Sequence, residues 1–294
     1  MLYYIRKYGN LYFPKTMIRL SFRRHMGHWP RLKAPQTFNE KIQWFKLYVR
    51  DPVIPRCADK YLVRDYIAKK IGKQYLVPLL GVFDSADEID LNKLPSQFVL
   101  KPNHASGEVI ICHDKTQMDW DAEKRKMAQW LRKNYYYQTG EWGYKDIKPK
   151  IICEELLPGD IIDYRFFCIK GNPLLCKITA DAGHSSRRAY VDMTFRSVVD
   201  ELNQGDVVFK KPRAWDVMRR IAKTLSVDFP FIRVDLYNIE EKIYFGELTF
   251  SPANGTDKYL PDKWDKILGE KYDLTLFMEE KMKIGEVVHW ANVK

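Results

Sequence analysis

FIRVDLYNIEEKIYFGELTFSPANG, from Phe231 to Gly255, reads as two strands joined by a turn at Asn238–Lys242, because aromatic and β-branched residues dominate both flanks. Arg233 and Asp235 stand two apart on the first strand, so their side chains share a face. Glu247 and Thr249 do the same on the second. A hairpin closed near Ile239–Glu241 lays the two pairs side by side, and one face then carries an arginine, two carboxylates and a hydroxyl. Carboxylates held together on neighbouring strands repel unless a divalent cation neutralises them, and hard oxygen ligands suit Mg²⁺. A surface hairpin in which Arg233 simply pairs with Asp235 or Glu247 is the plainer alternative.

The chain around this hairpin has 294 residues, enough for one large domain or two small ones with a real core. Its charge is uneven. Residues 1–50 hold eleven Lys and Arg against one acid, Glu40, a local +10 out of a total of +11. The basicity is therefore a local device. The five cysteines, Cys57, Cys112, Cys153, Cys168 and Cys176, lie in or beside apolar segments without metal-site spacing, as buried thiols of a reducing cytosol would. No apolar run is long enough to span a membrane and no signal-peptide pattern opens the chain, so a cytoplasmic location is expected.

Residues 1–36 form a basic, aromatic N-terminal segment. An interfacial helix anchored to anionic lipid at the inner face of the cell membrane is one reading; a helix packed on the main domain with a solvated basic face is the other. Nucleic acid is not expected, because no binding motif accompanies the charge. Residues 37–95 form a helical, substrate-side region. Thr37-Phe-Asn-Glu40 is a capping box and predicts a helix over Phe38–Tyr48, with Phe38, Ile42, Phe45 and Trp44 turned inward. Asp51–Pro55 reads as a break, and Asp59–Ile71 as a second amphipathic helix closed by Gly72. A short strand is expected over Val77–Val82.

Residues 96–150 contain QFVLKPNHASGEVIIC, a strand ending at Lys101, a small-residue loop over Asn103–Gly107, and a second strand over Val109–Cys112. A lysine at the mouth of such a loop can meet phosphate oxygens that the loop's N–H groups also face. It is not a Walker A loop, and a plain hairpin with an exposed lysine reads the same. A helix follows at Trp120–Asn134, then an aromatic loop from Tyr135 to Tyr144. Residues 151–294 begin with KIICEELL, a strand running into Glu154 and Glu155. Strands at Ile161–Lys170 and Pro173–Thr179 precede a polar stretch, Ala180–Tyr190, with His184, Arg187 and Arg188. Helices are expected at Arg213–Ser226, Pro261–Leu268 and Leu274–Ile284.

This series of elements resembles the ATP-grasp superfamily, and most closely its TupA-like family, associated with teichuronopeptide and other surface-polysaccharide biosynthesis. The segments FNEKIQWFKLY, ADKYLVRDYI, FVLKPNHASG, NYYYQTGEWGYKDIKPKIICEELL, DYRFFCIKG and DFPFIRVDLYN…KIYFGELTFSPANG carry the resemblance over residues 38–267. It implies an α+β ATP-grasp fold, two subdomains with mainly antiparallel sheets clamping the nucleotide. It implies that Lys101 contacts nucleotide phosphates, with Ser106 and Gly107 in the loop closing over them. Glu154, Glu155 and Leu157 fall where the superfamily holds adenine. Asp163, with Asp160 competing, falls where a carboxylate takes the ribose, and Lys177 matches a second phosphate lysine. Arg233 matches the arginine that meets the transferring phosphoryl group, and Asp235 and Glu247 match the Mg²⁺ ligands. The third ligand is commonly Asn; this chain has Thr249, which leaves the coordination there open.

The resemblance implies an ATP- and Mg²⁺-dependent carboxylate–amine ligase. It would join an amino acid or other small-molecule amine to a carboxylate of a glycan or peptide precursor. A carboxylate is a poor electrophile; taking a phosphoryl group turns it into an acyl phosphate that an amine attacks. That chemistry needs positioning and cations around phosphate, not a nucleophilic side chain. Arg187 and Arg188 are candidates for the acceptor carboxylate, since guanidinium forks suit it, and solvent-facing charge is their alternative. His104 and His184 either assist proton transfer or serve as hydrogen-bonding loop residues. An ATP-grasp kinase, a glycosyltransferase and a non-enzymatic membrane-surface or glycan-binding protein remain as other readings.

Overall fold

The computed structural model describes residues 2–159, 161–182, 185–199 and 207–275. Asp160, His184 and most of the helix expected over Leu274–Ile284 lie outside the described residues. The helices in chain order are α1 (Leu2–Tyr12), α2 (Pro14–Met26), α3 (Phe38–Tyr48), α4 (Val53–Ala58), α5 (Val63–Lys70), α6 (Trp120–Arg132), α7 (Tyr136–Thr139), α8 (Trp215–Ser226) and α9 (Asp262–Lys271). The strands are β1 (Leu79–Phe83), β2 (Phe98–Pro102), β3 (Ile110–Cys112), β4 (Ile151–Glu155), β5 (Ile162–Ile169), β6 (Asn172–Ala182), β7 (Ser185–Asp192), β8 (Phe231–Ile239) and β9 (Lys242–Thr249).

They form two antiparallel sheets, one in the order β1-β4-β2-β3 and one in the order β7-β6-β5-β8-β9. The back of the five-stranded sheet is covered by α8, whose fully buried Trp215 packs on Phe166, ring centroids 5.2 Å apart, and on Tyr164 and Phe195. On the front, α3 closes one end, with Phe38 against Phe167 and Phe231. At that end both faces of the central strands are buried, so Phe166–Ile169 of β5 and Phe231–Ile232 of β8 are continuous apolar runs. The front rows that carry Asp163, Arg165, Asp235 and Glu247 are polar.

The Thr37 capping box forms as expected: Glu40 N–H donates to Thr37 Oγ1 and the Glu40 carboxylate accepts from Thr37 N–H. Phe38, Ile42, Trp44 and Phe45 are all buried. The β8–β9 turn is tighter than expected, with only Glu240 and Glu241 between the strands, both at positive φ (49° and 65°). Left-handed residues match the twist of a two-residue hairpin, a site that usually selects Gly or Asn. Glu241 has a second task there. Its carboxylate accepts from Ala214 N–H at 2.7 Å, at the start of α8.

Three expectations are corrected. Asp51–Pro55 is not a break, because Asp51 Oδ1 accepts from Val53 N–H and starts α4. The helix expected from Asp59 begins at Val63, since Asp59 Oδ1 takes the N–H groups of Tyr61 and Leu62 in a turn of its own. The polar stretch 180–190 is strand on both sides of residues 183 and 184: β6 runs on to Ala182 and β7 spans Ser185–Asp192, with the Val198 and Val207 N–H groups donating to the Tyr190 and Arg188 carbonyls.

Candidate active site

The β8–β9 ladder pairs Arg233 with Thr249 and Asp235 with Glu247, so the four side chains meet on the front face. Arg233 lies between them. Its Nε and one terminal nitrogen donate to Asp235 at 2.7 and 2.5 Å, and the same terminal nitrogen reaches Glu247 and Thr249 Oγ1 at 3.0 Å. Thr249 Oγ1 donates to Glu247 at 2.8 Å. Burial pushes the Glu247 carboxyl up, but Lys60, Arg233 and Thr249 outweigh it and hold it near 2. Burial and the neighbouring Asp163 and Glu247 raise Asp235, against the opposing Arg233 guanidinium.

The register extends this row across the sheet. Arg165 of β5 is the direct partner of Asp235, and Lys177 of β6 that of Arg165. Arg165 Nε donates to Asp163 at 2.7 Å and lies 3.8 Å from Asp235. The other oxygen of Asp163 is buried without a hydrogen-bond partner. Lys177 meets Asp257 at 3.0 Å, and Tyr190 donates to the same oxygen at 3.0 Å. Arg187 and Arg188 do not act as a pair, because successive strand residues point to opposite faces. Arg188 pairs with Thr179 in the row of Asp163, on the front, its guanidinium 3.9 Å over the Tyr259 ring. Arg187 is on the back and exposed.

On the small sheet, Lys101 Nζ meets Glu154 at 2.6 Å, and Arg64 takes the other oxygen of the same carboxylate at 2.9 Å. Glu154 is thus an anchor for two cations, while Glu155 at the strand end is exposed. Leu157 is buried with Val77, Ile239 and Tyr244, and Tyr237 packs against them. Ser106 is exposed, and Gly107 follows in the left-handed region (φ 81°). His104 is buried, its ring nitrogens 3.0 Å from Asn103 Oδ1 and 3.2 Å from the Trp130 carbonyl. Such a ring is a packing element of the loop.

Besides Arg165, two residues of the site escaped sequence reasoning. Lys60 is one. Its N–H donates to the Asn103 carbonyl, and Asn103 Nδ2 donates to Asp59, so the turn at Asp59 lies against the lysine loop. Lys60 Nζ then donates to the Ala105 carbonyl, within electrostatic reach of Glu247, Lys101 and Glu154. Burial is the main influence on this amine and lowers its proton affinity. Glu141 is the other. It lines a small cavity together with Lys46, Trp142, Tyr144, Phe250 and Ser251, and feels both Glu247 and Arg233. Burial pushes its carboxyl up to about 7. Lys46, equally buried, donates to Gln43 Oε1 and to the carbonyl and side-chain oxygens of Asn254, tying α3 to the segment after β9.

Asp235 and Glu247 offer hard carboxylate oxygens with a hydroxyl beside them, a donor set that fits Mg²⁺ once Arg233 shifts from Asp235. Among the described residues no group of three or more acids, histidines or cysteines is gathered around one point, so phosphate oxygens and water would have to complete the shell.

Two antiparallel sheets with helices, and a basic loop facing an Arg-x-Asp…Glu-x-Thr hairpin, define an ATP-grasp architecture. The model of the TupA-like ATP-grasp family matches residues 40–273, and the chain belongs to that family. No curated protein matches it. Among solved structures, D-alanine–D-alanine ligase from Helicobacter pylori is similar at 15% identity and TM-score 0.42, over 74% of this chain and 57% of that one. The L-amino acid ligase from Bacillus licheniformis is similar at 15% identity and TM-score 0.47, over 74% and 50%. D-alanine–D-alanine ligase from Bacillus anthracis, complexed with ATP, gives 15% and 0.43, over 78% and 68%. The chain thus spans 57% and 50% of the length of the first two.

Proposed function

We propose that this protein is an ATP- and Mg²⁺-dependent carboxylate–amine ligase working through an acyl phosphate. The observation that carries the reading is the Arg233–Asp235–Glu247–Thr249 cluster, with its cationic neighbours, on the same face as a separate apolar seat. Along β8, Arg233, Asp235, Tyr237 and Ile239 alternate onto one face. At about 3.3 Å per residue this row is roughly 20 Å long. A nucleotide laid along it has its triphosphate at the Arg233–Asp235 end and its base at the Tyr237–Ile239–Leu157 end. Asp163, the direct partner of Tyr237, lies at the level of the ribose.

In this reading Lys101, Lys60, Arg165 and Lys177 offset phosphate charge, and the loop through Ser106 and Gly107 covers it. Asp235, Glu247 and Thr249 would hold Mg²⁺, which supplies charge neutralisation at the phosphates. Arg233 stabilises the phosphoryl group passing to the carboxylate, and Arg188 orients that carboxylate from the front of β7. The amine then displaces phosphate, giving the amide, ADP and phosphate.

The family supports a finer proposal: the carboxylate belongs to a uronic acid or peptide of a bacterial surface-polysaccharide precursor and the amine is an amino acid. The reaction would take place in the cytoplasm, at or near the inner face of the membrane. Among the described residues no helix is long and apolar enough to cross a membrane. ADP release from Mg²⁺-ATP, screened over uronic acids paired with each amino acid, tests the reading. ADP release that needs both a carboxylate and an amine supports it; release with neither, or transfer to a hydroxyl, overturns it.

A further inference from the structure

Helix α1 is turned the wrong way round for a helix of a soluble domain. Its apolar residues Tyr4, Ile5, Tyr8, Leu11 and Tyr12 follow the i, i+1, i+4, i+7, i+8 spacing of a single stripe. That stripe faces outward: Tyr4 is 59%, Ile5 57%, Tyr8 53% and Tyr12 66% exposed, and Phe13 beyond the helix end is 66% exposed. The inward side holds the polar residue. Asn10 is buried, donates to the Tyr137 carbonyl at 2.9 Å, and accepts from Tyr136 Oη at 3.1 Å. The helix is therefore fixed by a polar contact to α7, and among the described residues its apolar side is left exposed. Such a patch is an interaction surface.

Its surroundings say what kind. No Asp or Glu occurs before Glu40, while eight Lys and Arg do. Helix α2 is anchored by buried Ile18 and Phe22, and its Lys15, Arg19, Arg23 and Arg24 are exposed. Arg19 and Arg23 stack over the exposed Trp29 ring, 5.1 and 4.6 Å from its centroid. A protein partner presents mixed charge; Arg31 is paired with Glu40 at 2.9 Å, and the seven other cations, with no acid in their stretch of sequence, complement a surface of uniform negative charge. Tyrosine and tryptophan beside such cations suit headgroup depth. We infer that the outward stripe of α1 and the basic side chains of α2 form a docking surface for an anionic lipid bilayer. This sharpens the location proposed above and rests on none of the catalytic assignments.

The test is sedimentation of the full chain with phosphatidylcholine vesicles, with and without phosphatidylglycerol. Binding is expected only with the anionic lipid and fades as salt rises, because exposed charges are screened within about a Debye length. The triple variant Ile5→Glu/Tyr8→Glu/Tyr12→Glu should lower partition at least tenfold by placing charge in the stripe. Arg19→Gln/Arg23→Gln/Arg24→Gln should lower it by about fivefold per cation removed. Both variants should keep the circular dichroism spectrum and nucleotide affinity of the parent, since none of these residues touches the site. Equal binding to neutral vesicles, or unchanged partition of the triple variant, overturns the inference. So does sedimentation velocity showing a dimer that the triple variant dissolves, with no vesicle binding by the parent: a second copy then covers the stripe.

Discussion

Lys101 and Glu154 meet at 2.6 Å, so the lysine at the mouth of the loop is held against the small sheet by an acid two registers away on the neighbouring strand. Glu154 is buried and also takes Arg64, so it keeps a cationic partner without the lysine. Lys101→Met should therefore leave the fold intact and weaken Mg²⁺-ATP binding about ten- to hundredfold, the value of one charge-assisted contact. Calorimetric titration checks this. Lys60→Met should act in the same direction, because Lys60 interacts electrostatically with both Lys101 and Glu247. An affinity unchanged in both variants would remove the loop from the nucleotide site.

The hairpin acids differ in how safely they can be altered. Asp235 is 2% exposed and bound twice by Arg233, whereas Glu247 is 28% exposed. Removing one side of a buried ion pair destabilises strongly, and a half-open one much less. Glu247→Gln should lower turnover on the order of a thousandfold or more with little change in melting temperature. Asp235→Asn should do the same to turnover and melt lower. Mg²⁺-dependent ADP release at the parent rate by Glu247→Gln would show the hairpin to be structural.

Glu141 makes stability depend on pH in a defined direction. Its folded pKa of about 7 lies above the ordinary 4.5, so between those values the native state keeps a proton that the unfolded chain releases. Stability from this group is present below about pH 4.5 and is lost as pH rises through 7. Against Glu141→Gln, which does not titrate, the parent should lose up to about 3 kcal/mol over that window. Urea denaturation of both proteins from pH 5 to pH 8 measures it. Parallel curves would mean that the carboxyl is not held in the cavity beside Lys46.

The parts of this molecule that were legible in the sequence are those that local periodicity controls. Arg-x-Asp and Glu-x-Thr each span one strand period, so their common face follows from the pleat, and Thr37-x-x-Glu40 closes a box within one helical turn. Lys60 was not legible: in ADKYLVRDYI it looks like one more solvated helix lysine, and only the long-range contact of Asp59 with Asn103 turns it toward the loop. Glu141 sits in an aromatic loop whose burial depends on α3 and α4 closing over it, contacts the chain order does not state. β7 read only as a polar stretch because Ser185, Ser186, Arg187 and Arg188 open it without apolar alternation, and Arg187 there gave no sign of being back to back with Arg188. The α1 stripe was obscured by its neighbours, since Ile18 and Phe22 of α2 point inward while Tyr4, Ile5, Tyr8 and Tyr12 of α1 are exposed.

Hydroxylamine trapping tests the central claim, that ATP activates a carboxylate at the Arg233–Asp235–Glu247 cluster. The full chain, incubated with Mg²⁺-ATP, hydroxylamine and each uronic or peptide acid in turn, should form a hydroxamate in one-to-one ratio with ADP. That product should vanish in Glu247→Gln. ADP formed with a phosphorylated hydroxyl and no hydroxamate for any acid, or hydroxamate undiminished in Glu247→Gln, would contradict the account.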